Sequence, residues 1–269
     1  MPNHAASWLA LLQEQAASHR LDHIDLLLDG SGMEYPLWQS LADLETQPDI
    51  APLLDDTPEQ ALAQQGPILL RLQWNSQEHQ HYLQRLFDAL CDQPRLLALF
   101  SRWGFSELSA HLRHYTQAEW NQGRASGLLR YWDPRLILAV STALSPQQAR
   151  LFHAPTLAWH WLDRDTQPRQ LMGQPSHPGE LPHPLPPLLL SNEQVAELLA
   201  WLDAEDYRAL TCAQPQEYGL PNRETLQQHL VRAHLDANRL RIYAIEERKA
   251  HVRRWLIRNS PITPGATHP

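Results

Sequence analysis

Gly127-Leu128-Leu129-Arg130-Tyr131-Trp132-Asp133-Pro134-Arg135-Leu136 is the stretch on which the reading of this chain turns. Leu128, Leu129, Tyr131 and Trp132 favour extended backbone and predict a buried strand over residues 127–132. Asp133 can then accept from free N–H groups of the next turn. Pro134 suits a first helical position, where no N–H is needed. A helix is therefore predicted from Pro134 to Leu144. Arg130 and Arg135 bracket the junction. An arginine in apolar sequence needs a carboxylate or carbonyl partner, so this corner is tightly specified.

Working outward, short strands alternate with amphipathic helices. Residues 7–18 read as a helix. His23 to Asp29 reads as a strand closed by Gly30-Ser31-Gly32. Thr57-Pro58-Glu59-Gln60 has the residues of a helix start, and Gly66-Pro67 ends that helix ahead of a strand over 68–72. Asn75 to Glu78 caps a helix running to about Cys91, with Leu83, Leu86, Phe87 and Leu90 as its apolar stripe. The run 95–103 is ambiguous, although flanking Pro94 and Gly104 favour a strand. Residues 106–120 read as a helix. Ser145-Pro146-Gln147-Gln148 is a capping-box pattern, and 156–162 is a strand with Trp159 and Trp161 on one face. Residues 170–172 are its candidate partner. The alternation predicts an α+β fold: an α/β-like N-terminal lobe with a small mixed sheet and flanking helices.

The composition then changes. Residues 174–190 hold Pro175, Pro178, Pro182, Pro184, Pro186 and Pro187, a density that forbids regular helix and central strand. A linker is predicted over 174–190, between a lobe at 1–173 and a small all-helical lobe at 191–269. In the second lobe Ser191-Asn192-Glu193-Gln194 is another capping box. Further helices start at Asn222 and near Arg241.

The chain has 269 residues and a net charge of −8. Residues 222–258 carry nine Lys/Arg against four Asp/Glu, a local +5 that leaves −13 on the remainder. These basic residues lie on helices with an apolar face, so a solvated basic face is expected rather than a nucleic-acid site. The N-terminus has no basic-then-apolar signal pattern, and no apolar run approaches the ~18 residues of a membrane span. A cytoplasmic protein with free thiols at Cys91 and Cys212 is expected.

Fifteen histidines raise the question of a metal. His79 and His81 are two apart and point in different directions on a helix, and His19 and His23 straddle a helix-to-strand change. Zinc spacings, a nucleophile elbow and phosphate-cradling glycines are absent, so no catalytic, metal or cofactor site is expected. Asp29 before Gly30 has two readings: a turn former, or an acid at a strand end. Ten tryptophans supply core packing and candidate interface anchors.

The Arg, aromatic, Asp-Pro-Arg segment at 130–135 resembles the strand-to-helix signature of the type VI secretion effector-adaptor family. Its members are also called effector chaperones, and the family was long catalogued as a domain of unknown function. Phe105-Ser106-Glu107-Leu108 and His111-Leu112-Arg113 are similar to the helix that the family places before this strand. Leu144 to Gln148 with Leu151-Phe152 resembles its next helix start. Leu26-Leu27-Leu28-Asp29-Gly30 resembles its first strand and turn, and Gly66 to Leu70 its second strand. Tyr131-Trp132 departs from the more usual Phe-Tyr. The resemblance spans about residues 20–165. It implies a cytoplasmic, non-enzymatic protein that holds a secreted toxin and loads it onto the spike-tip protein. The signature residues would be Asp29, Gly30, Arg130, Asp133, Pro134 and Arg135, in a structural or partner-binding role. No cofactor, nucleic acid or membrane is implied. The rival readings are a hydrolase or transferase with a site near Asp29 and Asp133, and a nucleic-acid-binding helical lobe.

Overall fold

The computed structural model describes residues 4–35 and 37–261. The chain divides into two compact units, Met1–Leu189 and Leu190–Pro269.

The first unit opens with α1 (His4–Ser18), whose buried Ala5, Trp8, Leu12 and Ala16 recur at helical spacing. Then come β1 (His23–Asp29), α2 (Leu37–Ala42), β2 (Asp49–Pro52) and a 3-10 turn at Gln60–Gln65. The predicted helix after Thr57 is only this 3-10 turn, ended by Gly66. β3 (Pro67–Gln73), α3 (Gln77–Leu90), β4 (Leu96–Ser101) and α4 (Phe105–His114) follow. β5 (Gln117–Trp120) and β6 (Ala125–Leu128) form a hairpin. α5 (Ile137–Ala143), α6 (Pro146–Phe152), β7 (Thr156–Leu162) and β8 (Pro168–Met172) complete the unit.

Six strands make one sheet in the order β2-β3-β1-β4-β7-β8. The α+β class stands, but the sheet is not mixed: each of its pairings is antiparallel. Parallel neighbours need crossovers that return to the same end, and here β3 and β4 both run against β1. β1 pairs with β3 over its whole length, from His23↔Gln73 to Asp29↔Pro67. Its six residues from Ile24 to Asp29 are all buried. Ile24, Leu26 and Leu28 join Ile68, Leu70, Leu72, Phe100, α1 and α3 in one core. Each fully buried leucine there contributes about 1.5–3 kcal/mol. The alternate residues face the opposite side, where Leu99 lies across from Trp159. There Phe152 stacks on Trp159, with Tyr115 and Tyr131 edge-on to Phe152. Trp159 and Trp161 are both buried core residues.

The decisive stretch differs from its sequence reading. The strand predicted over 127–132 ends at Leu128 and lies in the separate β5–β6 hairpin, not the main sheet. The helix predicted over 106–120 stops at His114, and residues 117–120 are strand. Asn121, Gln122 and Gly123 reverse the chain with φ of 51°, 59° and 78°. Cross-strand pairing overrides a weak local helix preference here. Beyond β6, Tyr131 turns inward and donates from its hydroxyl to the Leu112 carbonyl at 2.7 Å. The next helix starts at Ile137, three residues past Pro134.

The proline-rich segment is not a free linker. Residues 174–189 belong to the first unit and lie along it. Trp103 Nε1 donates to the Ser176 carbonyl at 2.8 Å, and the Glu119 N–H to the Leu188 carbonyl at 2.8 Å. Gln148 Nε2 donates to the Leu189 carbonyl at 2.6 Å. Proline density removes regular structure, but it leaves carbonyls free to accept from neighbouring elements.

The second unit holds α7 (Asn192–Thr211), α8 (Arg223–Arg239) and α9 (Ile245–Asn259). Ser191 and Gln194 form a complete capping box, and the Asn222 side chain accepts from the Thr225 N–H. Ala200, Ala204, Leu226, Leu230, Ala233, Val252 and Leu256 form its core.

Candidate functional site

β1 ends at Asp29, and two backbone hydrogen bonds and one from a side chain hold that end in place. The Asp29 N–H donates to the Arg95 carbonyl at 2.9 Å, and the Gly30 N–H to the Gly66 carbonyl at 3.1 Å. Arg95 Nη1 donates back to the Asp29 carbonyl at 3.2 Å. A Cβ at Gly30 would lie 2.8 Å from the Gly66 oxygen, so this close approach requires glycine.

The Asp29 side chain is 7% exposed. Its Oδ1 accepts from the Ser31 N–H at 3.0 Å and the Ser31 hydroxyl at 2.6 Å. This is the turn-forming role, an aspartate bonding two residues ahead. Its Oδ2 accepts from Arg130 Nη2 at 3.0 Å. Arg130 Nη2 also lies 3.9 Å from Asp133 Oδ2. Asp133 is buried, and its Oδ1 accepts from the Arg135 N–H at 2.9 Å and from Arg135 Nε at 3.0 Å. Its Oδ2 accepts from Arg135 Nη2 at 2.7 Å. Asp133 thus organises the turn through Pro134 rather than capping a helix that begins there. The structure brings Asp29, Gly30, Arg130, Asp133 and Arg135 to one corner. Pro134 lies in the turn between the last two.

A cavity of about 270 Å³ opens beside this corner, lined among others by Leu54, Leu62, Leu128, Trp132, Asp29 and Arg130. Its rim is apolar and accessible: Leu62 is 50% exposed and Leu128 37%. Arg95, Leu54 and Leu62 carry no local signal of their place at this corner. For Ser31 the signal was present in Asp29-Gly30-Ser31, a run able to form a side-chain-closed turn.

Ser141 and His153 meet with Oγ and Nε2 2.8 Å apart. The Trp159 indole N–H donates to His153 Nδ1 at 2.9 Å. Nδ1 is therefore the acceptor, and the ring proton sits on Nε2, facing Ser141. Burial pushes the His153 pKa down to about 4. The imidazole donates to Ser141 and is not placed to take its proton. His79 is held similarly. Its Nδ1 accepts from the Gln73 N–H and its Nε2 donates to the Thr46 carbonyl. Among the described residues, no group of three or more His, Cys, Asp or Glu side chains has metal-binding proximity. Also among these residues, no helix is long and apolar enough to cross a membrane.

Residues 26–151 match a family model described as a domain of unknown function, DUF4123. The match runs from β1 to α6, and the whole Asp29–Arg130–Asp133 corner lies inside it. The DUF4123 stretch excludes α1, β7, β8 and all of the second unit. No curated protein and no solved structure matches the chain.

Proposed function

We propose that the protein is a cytoplasmic adaptor that binds a cognate type VI secretion toxin and promotes its loading onto the spike-tip protein. The observation that carries this reading is an overlap. The DUF4123 match at 26–151 falls on the part of the chain that resembles the effector-adaptor family, and Asp29, Arg130, Asp133 and Arg135 of its signature meet at one corner. The chemistry of that corner supports binding over turnover. Both oxygens of Asp29 and of Asp133 already accept from Ser31, Arg130 or Arg135. Such carboxylates hold structure together and are poorly placed to move protons. The reading needs no cofactor. Its partners are two proteins, the toxin and the spike tip, with neither nucleic acid nor membrane involved.

Affinity purification of the full chain, co-expressed with a candidate toxin from a neighbouring gene, tests the proposal. The toxin is expected to co-purify and to rise in soluble yield, because a ligand of the folded state shifts that equilibrium. The complex is expected to survive chelation. The contrary result is turnover of a small substrate by the purified protein, abolished by Asp29→Ala or Asp133→Ala in a chain that stays folded.

A further inference from the structure

The β5–β6 hairpin has one covered edge and one open edge. On β5 the Glu119 N–H is turned away from β6 and donates to the Leu188 carbonyl at 2.8 Å, with Glu119 bridged to Leu189. The Leu129 N–H donates to the Thr116 carbonyl at 2.8 Å. In this register Ala118 pairs with Gly127, and Glu119 with Ser126. Antiparallel pairs alternate between bonded and non-bonded. The bonded pairs are therefore Ala118–Gly127 and Trp120–Ala125. The N–H and C=O groups of Ser126 and Leu128 point outward along the far side of β6. Among the described residues, nothing pairs with them.

This edge is short, four residues between Arg124 and Arg130, but it is not blocked. It holds no proline, lysine or bulge, and its small residues Ala125, Ser126 and Gly127 allow close backbone approach. Arg124, Ser126, Leu128 and Arg130 are exposed at every second position, with Ala125 and Gly127 half-buried and Leu129 buried between them. Among the described residues Arg124 has no ion-pair partner. Leu128 also lines the 270 Å³ cavity, together with Leu54 and Leu62. The open edge therefore runs directly into an apolar recess.

We infer that β6 receives an extended segment of a partner protein as an added strand, a deepening that rests on the adaptor reading above. The chemistry specifies the segment. Its main chain bonds to Ser126 and Leu128, a carboxylate lies opposite Arg124, and an apolar side chain four residues away enters the recess beside Leu128. A second copy of this chain is a poor occupant. Antiparallel self-pairing about Gly127 sets Arg124 against the other copy's Arg130, and like charges directly opposite repel.

The test uses the full chain and a ten-residue peptide of threonine and valine bearing one glutamate and, four residues on, one leucine. The peptide is expected to bind and to slow hydrogen exchange at the Ser126 and Leu128 amides. Ser126→Pro removes an outward N–H without touching the β5 ladder and is expected to weaken binding about tenfold, as loss of a strand hydrogen bond implies. Arg124→Glu, at an exposed turn position, keeps the fold and is expected to reverse preference toward a peptide with lysine in place of the glutamate. The inference is overturned if the peptide does not bind, if alternate N-methylation of its amides leaves affinity unchanged, or if the edge proves covered by a second copy in sedimentation. Toxin capture unchanged by Ser126→Pro and Arg124→Glu overturns the strand-addition site and leaves the adaptor reading standing. Peptide binding with edge protection but no toxin capture does the reverse.

Discussion

Arg130 Nη2 lies 3.0 Å from Asp29 Oδ2, a contact between residues 101 positions apart. It ties the end of the central strand to the segment that follows the β5–β6 hairpin. The carboxylate is 7% exposed and the guanidinium 45%, so the pair sits at a boundary between core and solvent. Solvent screens the arginine and limits the coupling. A double-mutant cycle with Asp29→Asn and Arg130→Gln is expected to give a coupling energy of about 1 kcal/mol. Urea denaturation of the four proteins measures it. Strict additivity would mean that the ion pair contributes nothing.

The sheet carries a second pair, this one enclosed. Arg71 Nε and Nη2 donate to the two oxygens of Asp25 at 2.7 and 2.9 Å. Arg71 Nη1 donates to the Trp103 carbonyl, and the guanidinium lies over the Phe105 ring. Asp25 is fully buried. Burial pushes its carboxyl above the ordinary aspartate range, against the pull of Arg71 and His23. Removing either partner leaves an unpaired polar group or charge in the sheet. Asp25→Leu or Arg71→Met alone is expected to cost about 3–5 kcal/mol, and the two together much less. Chemical denaturation decides it; a double variant as damaged as the sum of the singles would refute it.

The contrast between these two pairs says what sequence can and cannot carry. β1 was legible because seven residues, His-Ile-Asp-Leu-Leu-Leu-Asp, form a strand buried on both faces and ended by Gly30. The caps at Ser145 and Ser191 were legible because a capping box closes within four residues. The contact of Arg130 with Asp29 was not, since no local preference reports a partner 101 residues away. The hairpin was missed because residues 117–120 lack strand alternation and its turn uses left-handed Asn121 and Gln122. Of the candidate site, the run from Arg130 to Arg135 and the Asp29-Gly30 turn were legible. The cavity was not, because Leu54 and Leu62 come from a turn and a short 3-10 segment that only folding brings to Leu128.

Stability should fall in acid through histidines. Burial pushes His111, His153 and His160 down to about 4, with His19 adding to the effect at His160. In the unfolded chain each returns to the ordinary 6.5. Between these values the unfolded state binds more protons, so unfolding free energy decreases as pH falls. The stabilisation is complete above about pH 6.5 and is lost as pH drops through about 4. Each histidine can account for up to about 3 kcal/mol of this loss. Chemical denaturation of the full chain across pH 7 to 4 is expected to show the slope, and His160→Gln to reduce it. A flat profile over that range would rule the mechanism out.

The placement of the proline-rich segment changes where the first unit ends. A boundary at residue 173 would cut away Ser176, whose carbonyl accepts from Trp103 and whose N–H donates to the Ala154 carbonyl at 2.9 Å. It would also remove the Pro186 carbonyl that meets His114 Nε2 at 2.9 Å, and the Leu188 and Leu189 carbonyls that accept from Glu119 and Gln148. Leu188 itself is 4% exposed. Trp103 and the Glu119 N–H lose partners at sites that are buried or half-buried, where an unmade bond costs about 1–3 kcal/mol. Losing the Leu188 side chain adds about 2 kcal/mol of apolar burial. A chain ending at Gly173 is therefore expected to be less stable than one ending at Leu189 by several kcal/mol. Thermal melts of the two truncated proteins, at equal concentration and pH, make the comparison. Equal melting temperatures would show that residues 174–189 lie on the first unit without holding it together.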